Sequence, residues 1–297
     1  MKIDPGQLNA VAAVLRSGSF EKAAQRLSVT PSAISQRVKV LEEQLGVVLI
    51  VRGLPCHATP AGSRILRHAE EVALLERSLS ADIGGADHSE AFPTVRIAVN
   101  ADSLATWLVP AMAASGDLLF DLQIDDQDHS AHWLRHGDVR AAISADEAPV
   151  QGCDCVPLGT LSYRATASPE FMARWFSAEV TLETLLMAPA MIYNSKDNLQ
   201  SNWMKQTFGH EVSPPCHWLA STHAFVDAAV AGLGWGMNPE PLVRDLIKAG
   251  DLVELVPDAS LSVPLYWHVS RSASKGLVSL TDAVRKAGRE YLQPLEA

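Results

Sequence analysis

The chain has 297 residues, 47% hydrophobic and 20% charged, with seven Trp and no low-complexity tract. That is enough apolar mass for two or three packed domains, and it excludes a disordered, collagen-like or small disulfide-stapled protein. Net charge is −10, which argues against a polyanionic partner, yet residues 1–82 carry 10 Lys and Arg against 8 Asp and Glu while residues 83–297 carry 14 against 26, so only the first part tolerates a phosphate backbone.

The opening MKIDPGQLNAVAAVLRSGSF has charges flanking a short apolar run and no small-residue cleavage site. No stretch approaches the roughly 20 apolar residues that span a bilayer. Cys56, Cys153, Cys155 and Cys216 are scattered and read as free thiols. The expectation is a cytoplasmic protein without a membrane partner.

Between Gln7 and Gly46 apolar residues recur at helical spacing in three blocks, broken by SGS after Arg16 and SVTPS after Leu27, which predicts three short helices. Ser19 is placed to cap the second, and Ala23 and Ala24 give it a face small enough for close packing. Thr30 caps the third, with Pro31 in its first turn, where a missing N–H costs nothing. The following VVLIVRGLPCHAT predicts a two-stranded wing around a Gly-Leu-Pro turn. Thr59 and Pro60 begin a fourth helix in which Ile65, Ala69, Val72, Leu79 and Ile83 fall at a and d spacing, a seam expected to make a dimer contact. Gly84 to Pro93 is polar and Gly-containing, the best linker in the chain.

Beyond it, residues 95–100, 120–125 and 139–144 are strand-like with helical stretches between them. A second unit repeats the pattern, with strands near 190–193, 217–220 and 235–238 and helices at 198–207 and 221–231. Alternation of this kind predicts parallel, doubly wound sheets in two α/β lobes facing across a cleft. Pro264 to Ser270 and a helix from Leu277 to Leu292 return to the first lobe.

The segment SFEKAAQRLSVTPSAISQRVKVLEEQLGVVLIVR, Ser19 to Arg52, followed by TPAG at Thr59 to Gly62, strongly resembles the winged helix-turn-helix of the LysR-type transcriptional regulators. The resemblance covers nearly the whole chain. It implies an α/β protein with a winged helix-turn-helix at 1–59, a dimerising linker helix and hinge at 60–92, and a two-lobed, periplasmic-binding-protein-like effector domain at 93–297, divided into 93–165 with 266–297 and 166–265. Within the family, VRIAVNADSLATWLVP, VQGCDCVPLGTLSYRATASPEF and LYWH at Leu265 to His268 resemble the ArgP and LysG branch. That branch responds to lysine and arginine and controls an exporter of basic amino acids.

A helix-turn-helix presents the first residues of its second helix to base edges in the major groove. Here these are Thr30, Pro31, Ser32, Ser35 and Gln36. Gln36 can pair with adenine N6 and N7, Ser32 and Ser35 can meet bases or phosphates, and Arg37 and Lys39 add cationic contacts. Arg52 and His57 on the wing would lie near the flanking backbone or minor groove. The expected partners are a double-stranded DNA operator, an amino acid effector (L-lysine or L-arginine) and a second copy of the chain in a homodimer or homotetramer. RNA polymerase stands as a further candidate partner.

A zwitterionic cationic ligand needs donors for its carboxylate and acids for its side chain. Asp102 and Ser103 follow the first strand of the effector domain, and Ser221, Thr222 and His223 follow a strand of the second lobe, both at helix N-termini suited to a carboxylate. The candidate acids are Asp125, Asp126 and Asp128, with Asp197 across the cleft; each equally suits a solvated loop, and Asp102 equally suits a plain N-cap. Period-2 alternation lets at most one of Asp125 and Asp126 face the cleft, with Asp126 favoured.

No cofactor, metal site or catalytic residue is expected. His129, His132 and His136 share a helical face without the H-E-x-x-H glutamate, Cys153 and Cys155 lack a second pair, and the Asp125 cluster lacks a calcium loop's Gly and closing Glu. Gly232 to Gly236 falls between helix and strand and reads as a packing turn. The alternatives left open are an architectural or replication-initiation-inhibiting DNA-binding protein without an effector, a LysR-type regulator with another small-molecule effector, and a DNA-tethered enzyme using the histidine group.

Overall fold

The structure, a computed structural model, describes residues 2–83, 92–116, 118–125 and 130–295. Asp126, Asp128, His129 and most of the Gly84 to Pro93 linker lie outside the described residues. The chain divides into two compact units, Met1–Thr94 and Val95–Ala297.

In the first unit α1 (Pro5–Ser17), α2 (Phe20–Arg26) and α3 (Pro31–Leu45) precede a wing of β1 (Ile50–Val51) and β2 (His57–Ala58), paired antiparallel, and α4 (Pro60–Asp82). Each of the first three helices starts on a side-chain cap: Asp4 accepts from the Gln7 N–H, Ser19 from those of Glu21 and Lys22, and Thr30 from that of Ala33. Val11, Val14, Ala23, Ala24, Ile34, Val38 and Leu41 form one buried core with Leu49 and Ile50 of the wing. Truncating a side chain such as Ile34, fully buried here, costs about 2 to 5 kcal/mol.

Polar contacts bind the wing to the helices, among them the Cys56 N–H donating to the Gly18 carbonyl at 2.8 Å. Glu42 Oε1 accepts from the Leu49 and Ile50 N–H groups at 2.7 and 3.2 Å, and Thr59 Oγ1 donates to the Val48 carbonyl at 2.7 Å. Gly62 is obligatory here, because a Cβ would collide with the Leu49 carbonyl.

The a/d seam of α4 is divided. Ile65, Ala69 and Val72 pack on Leu8 and Ala12 of α1, whereas Leu79 is 60% exposed and Ile83, just past the helix, 73%. Only the second half of the run is open to a partner, because α1 offers the first half an apolar face within the same chain.

The second unit starts with β3 (Thr94–Val99), then α5 (Ala101–Ser103), a π-helical turn Leu104–Leu108, and α6 (Val109–Ala114). The π turn sits where Pro110 cannot donate to the preceding turn. There follow β4 (Leu119–Ile124), α7 (Ser130–Arg135), β5 (Ala141–Ser144), β6 (Cys153–Ala167), α8 (Pro169–Trp175), α9 (Leu182–Met187), β7 (Ala190–Ile192) and α10 (Leu199–Phe208). The chain continues with β8 (Cys216–Trp218), α11 (Thr222–Val230), β9 (Gly236–Pro239), α12 (Glu240–Ala249), β10 (Val253–Glu254), β11 (Leu261–Ser270), a 3-10 turn and α13 (Val278–Tyr291).

The expectation of parallel sheets is corrected. β3 and β5 are parallel, as are β7 and β8, but the main sheet, in the order β10-β6-β11-β5-β3-β4 with β9 also on β6, is mixed. Its spine is the 15-residue β6, antiparallel to β11, β9 and β10. The expected lobe boundaries at 165/166 and 265/266 therefore fall inside two continuous strands, the second at the register shift between Leu265 and Tyr266. Both lobes share β6 and β11. Among the described residues, no helix is long and apolar enough to cross a membrane.

Candidate functional site

A cleft in the second unit opens at the carboxyl ends of β3, β4 and β7 and the start of α11, the edge where strand-to-helix turns gather binding groups. It holds about 520 Å³ of empty space, its open mouth included, within the range of small-molecule sites. Asn100, Asp102, Asp125, Tyr193, Asn194, Asp197, Thr222 and Asn238 supply its polar lining, and Leu199, Phe225 and Met237 much of the apolar part. Three carboxylates and no Lys or Arg stand among the described lining residues.

Asp102 joins three elements. Its carboxylate accepts from Tyr163 Oη on β6 at 2.8 Å and from Thr222 Oγ1 on α11 at 2.8 Å. Burial raises its pKa above the usual carboxylate range, the two hydroxyl bonds offset part of that, and the charge of Asp197 raises it further. Asp197 is held by the backbone: Oδ2 accepts from Tyr193 N–H at 2.9 Å and Oδ1 from Leu199 N–H at 3.0 Å. Burial raises its pKa as well, against those bonds. Asp125 has one oxygen on Trp133 Nε1 and the other on Lys196 Nζ, both at 2.8 Å. The cleft thus holds buried carboxyl groups whose charged form a cationic ligand would stabilise.

Of the effector residues expected from sequence, Asp102, Asp125, Asp197 and Thr222 line this cleft. Ser103 does not: it is fully buried and outside the lining, because one helical step of about 100° carries it off the face that Asp102 occupies. His223 is exposed beside Thr222 and outside the lining for the same reason. Thr222 lines the cleft but gives its single hydroxyl proton to Asp102, not to a ligand carboxylate. Asp102 is not an N-cap, since Asn100 holds that position. Sequence reasoning missed Tyr163, Tyr193, Asn194 and Asn238. Gly236, within the expected packing turn, is needed because a Cβ there would collide with Phe225 of the cleft wall.

In the first unit Thr30, Pro31, Ser32 and Gln36 are exposed at the start of α3, and Ser35 is half-buried. Ser32 Oγ lies 3.0 Å from Thr30 Oγ1, so the two hydroxyls are set by the cap. Lys39 makes a 3.6 Å ion pair with Glu43, and the half-buried Arg37 guanidinium lies close to Gly6 of α1. Arg52 rests over the Phe20 ring, 5.1 Å from its centroid, and His57 is exposed on β2. The exposed polar start of α3 beside a wing has the form of a major-groove reading head.

Residues 5–63 match the bacterial regulatory helix-turn-helix protein family, lysR type, and residues 88–289 match the LysR substrate binding domain. The chain belongs to the LysR family. It is 44% identical over 286 residues to the transcriptional regulator LysG of Mycobacterium tuberculosis, covering 96% of this chain and 94% of that one. The crystal structure of ArgP from Mycobacterium tuberculosis superposes with a TM-score of 0.77 at 42% identity, covering 99% of this chain and 100% of that one. Full-length LysG from Corynebacterium glutamicum, solved with bound effector Arg, gives a TM-score of 0.63 at 33% identity, covering 98% and 100%. As a LysR-family protein the chain is a DNA-binding transcriptional regulator, and its relatives are regulators rather than enzymes.

Proposed function

We propose that this LysR-family regulator takes L-arginine or L-lysine in the cleft of its second unit and controls a gene for export of basic amino acids. The observation that carries the proposal is the lining: Asp102, Asp125 and Asp197, with no Lys or Arg among the described lining residues. An anionic effector would meet the buried carboxyls of Asp102 and Asp197 and would find Asp125 already paired with Lys196; a basic amino acid with two ammonium-type groups and one carboxylate brings the complementary balance. The arginine bound to the Corynebacterium glutamicum relative supports the same class.

Asp102 and Asp197, inside the cleft and coupled electrostatically, suit the α-ammonium. Asp125 suits the side-chain cation, because its Trp133 bond fixes the carboxylate and leaves the second oxygen on a cation already. The leading N–H groups of α11, which have no acceptor within the helix, suit the α-carboxylate. Ligand contacts to Asp102 and Thr222 touch both lobes and the shared strand β6, so occupancy can bias how the lobes stand. The DNA readers are the exposed residues at the start of α3, with Arg37, Lys39, Arg52 and His57 as cationic or flanking contacts, and the open end of α4 supports a homodimer or homotetramer.

Titration calorimetry of the full chain with L-arginine, L-lysine and L-glutamate tests the effector class. Saturable heat with the first two and none with glutamate is expected. Glutamate binding as well as arginine, or no saturable heat with any of the three, overturns it and favours an effector-independent DNA-binding protein.

A further inference from the structure

Asp125 already holds a cation supplied by the chain itself. The Lys196 ammonium lies 2.8 Å from Asp125 Oδ1, reaching from the loop after β7 to the end of β4. The Asp125 side chain is 15% exposed and that of Lys196 43%, so the acid is the fixed partner and the lysine the one facing water. The loop is tied independently of this pair: the Lys196 N–H donates to Asn194 Oδ1 at 2.7 Å, Asn198 Nδ2 donates to the Lys196 carbonyl at 3.0 Å, and Asp197 binds two backbone N–H groups. The long Lys196 side chain can therefore swing into solvent without disturbing the loop, and Trp133 keeps the Asp125 carboxylate oriented when it does.

We propose that Lys196 is an affinity-tuning residue, an internal stand-in that an arriving side-chain cation must displace from Asp125. This rests on the basic amino acid reading of the cleft. Two cations on one carboxylate oxygen would stand within a few ångströms of each other and repel, so ligand and Lys196 exchange rather than share. A neutral ligand offers nothing in exchange and leaves the pair closed. Lys196 thus lowers affinity for the right ligand slightly and keeps a cation on Asp125 Oδ1 while the cleft is empty.

Full-chain wild type, Lys196→Met and Lys196→Arg are titrated with L-lysine and with L-norleucine, its uncharged counterpart. A part-exposed ion pair is weak, so Lys196→Met is expected to bind L-lysine about two- to fivefold more tightly with norleucine unchanged, and Lys196→Arg to behave as wild type. L-lysine affinity that is unchanged in Lys196→Met, or that falls together with norleucine, overturns the exchange while leaving the effector class standing. Absence of L-lysine binding to the wild type removes the effector class itself and the exchange with it.

Discussion

Replacing Asp102 by Asn is expected to stabilise the empty protein and weaken ligand binding together. In the folded state the Asp102 pKa is raised, chiefly by burial. The protonated acid is favoured by folding, so its stabilisation is fully present below the ordinary carboxylate pKa of about 3.9 and is lost as pH rises through the raised folded value. Above that range the folded chain must either bury the charge or take up a proton the unfolded chain does not, and either way Asp102 is a cost to the empty cleft. Asn removes that cost and keeps both neighbours satisfied, since its carbonyl accepts from one hydroxyl and its amide donates to the other, Tyr163 Oη and Thr222 Oγ1 each being able to do either.

The same change deletes a charge-assisted bond to the ligand's α-ammonium worth about 1.5 to 3 kcal/mol, a loss of about 10- to 150-fold in affinity. Thermal denaturation at pH 7 and at weakly acidic pH, with and without L-arginine, reads both effects. A higher Tm without ligand, a gain that shrinks on acidification and a lost ligand-induced shift are expected. An Asn variant less stable when empty, yet stabilised by arginine as the wild type is, would refute both the buried-charge argument and the ammonium assignment.

On the DNA side, Gln36→Ala is expected to weaken operator binding by about 1 to 3 kcal/mol and leave scrambled duplex unaffected, whereas Arg52→Ala lowers both and flattens the salt dependence; fluorescence anisotropy separates them, and equal losses for Gln36→Ala would remove it from the base readers. Glu at both Leu75 and Leu79, 50% and 60% exposed on α4, should shift the full chain toward monomer in sedimentation, and an unchanged mass would place the association surface elsewhere. His268 is fully buried, lies 2.9 Å from the Asp146 carbonyl, and has its pKa lowered chiefly by burial. As pH falls from about 6.5 toward that lowered value the unfolded chain takes up a proton that the folded chain does not, so stability falls by up to about 1.4 kcal/mol per pH unit. A denaturant series for wild type and His268→Gln should show that slope only in the wild type.

The first unit was legible because its signals are local: Ser19 and Thr30 cap the helices they precede in sequence, and the apolar spacing names the core. The open and covered halves of the α4 seam were not separable, since the packing of Ile65 and Val72 on Leu8 is a tertiary choice. In the second unit the ends of strands pointed to Asp102, Asp125 and Asp197 by the rule that strand-to-helix turns gather ligands. β6 was hidden because Pro157 and Gly159 interrupt its alternation, and with it went Tyr163 and the mixed character of the sheet. Ser103 and His223, neighbours of Asp102 and Thr222, stand outside the cleft lining, because a helical step of about 100° decides which side chain meets the cleft. Asn194 and Asn238 carry no periodic or charge signal and become visible only when three strand ends converge.

The most direct test of a cleft built for a side-chain cation is calorimetric titration of the unmodified full chain with L-arginine and with L-citrulline, which keeps the shape and replaces the guanidinium by a neutral ureido group. One saturable site binding arginine at least about tenfold more tightly is expected from the charge-assisted contact to Asp125. Equal affinity for the two would contradict it, showing that the carboxylates of the cleft do not read the charge of the ligand.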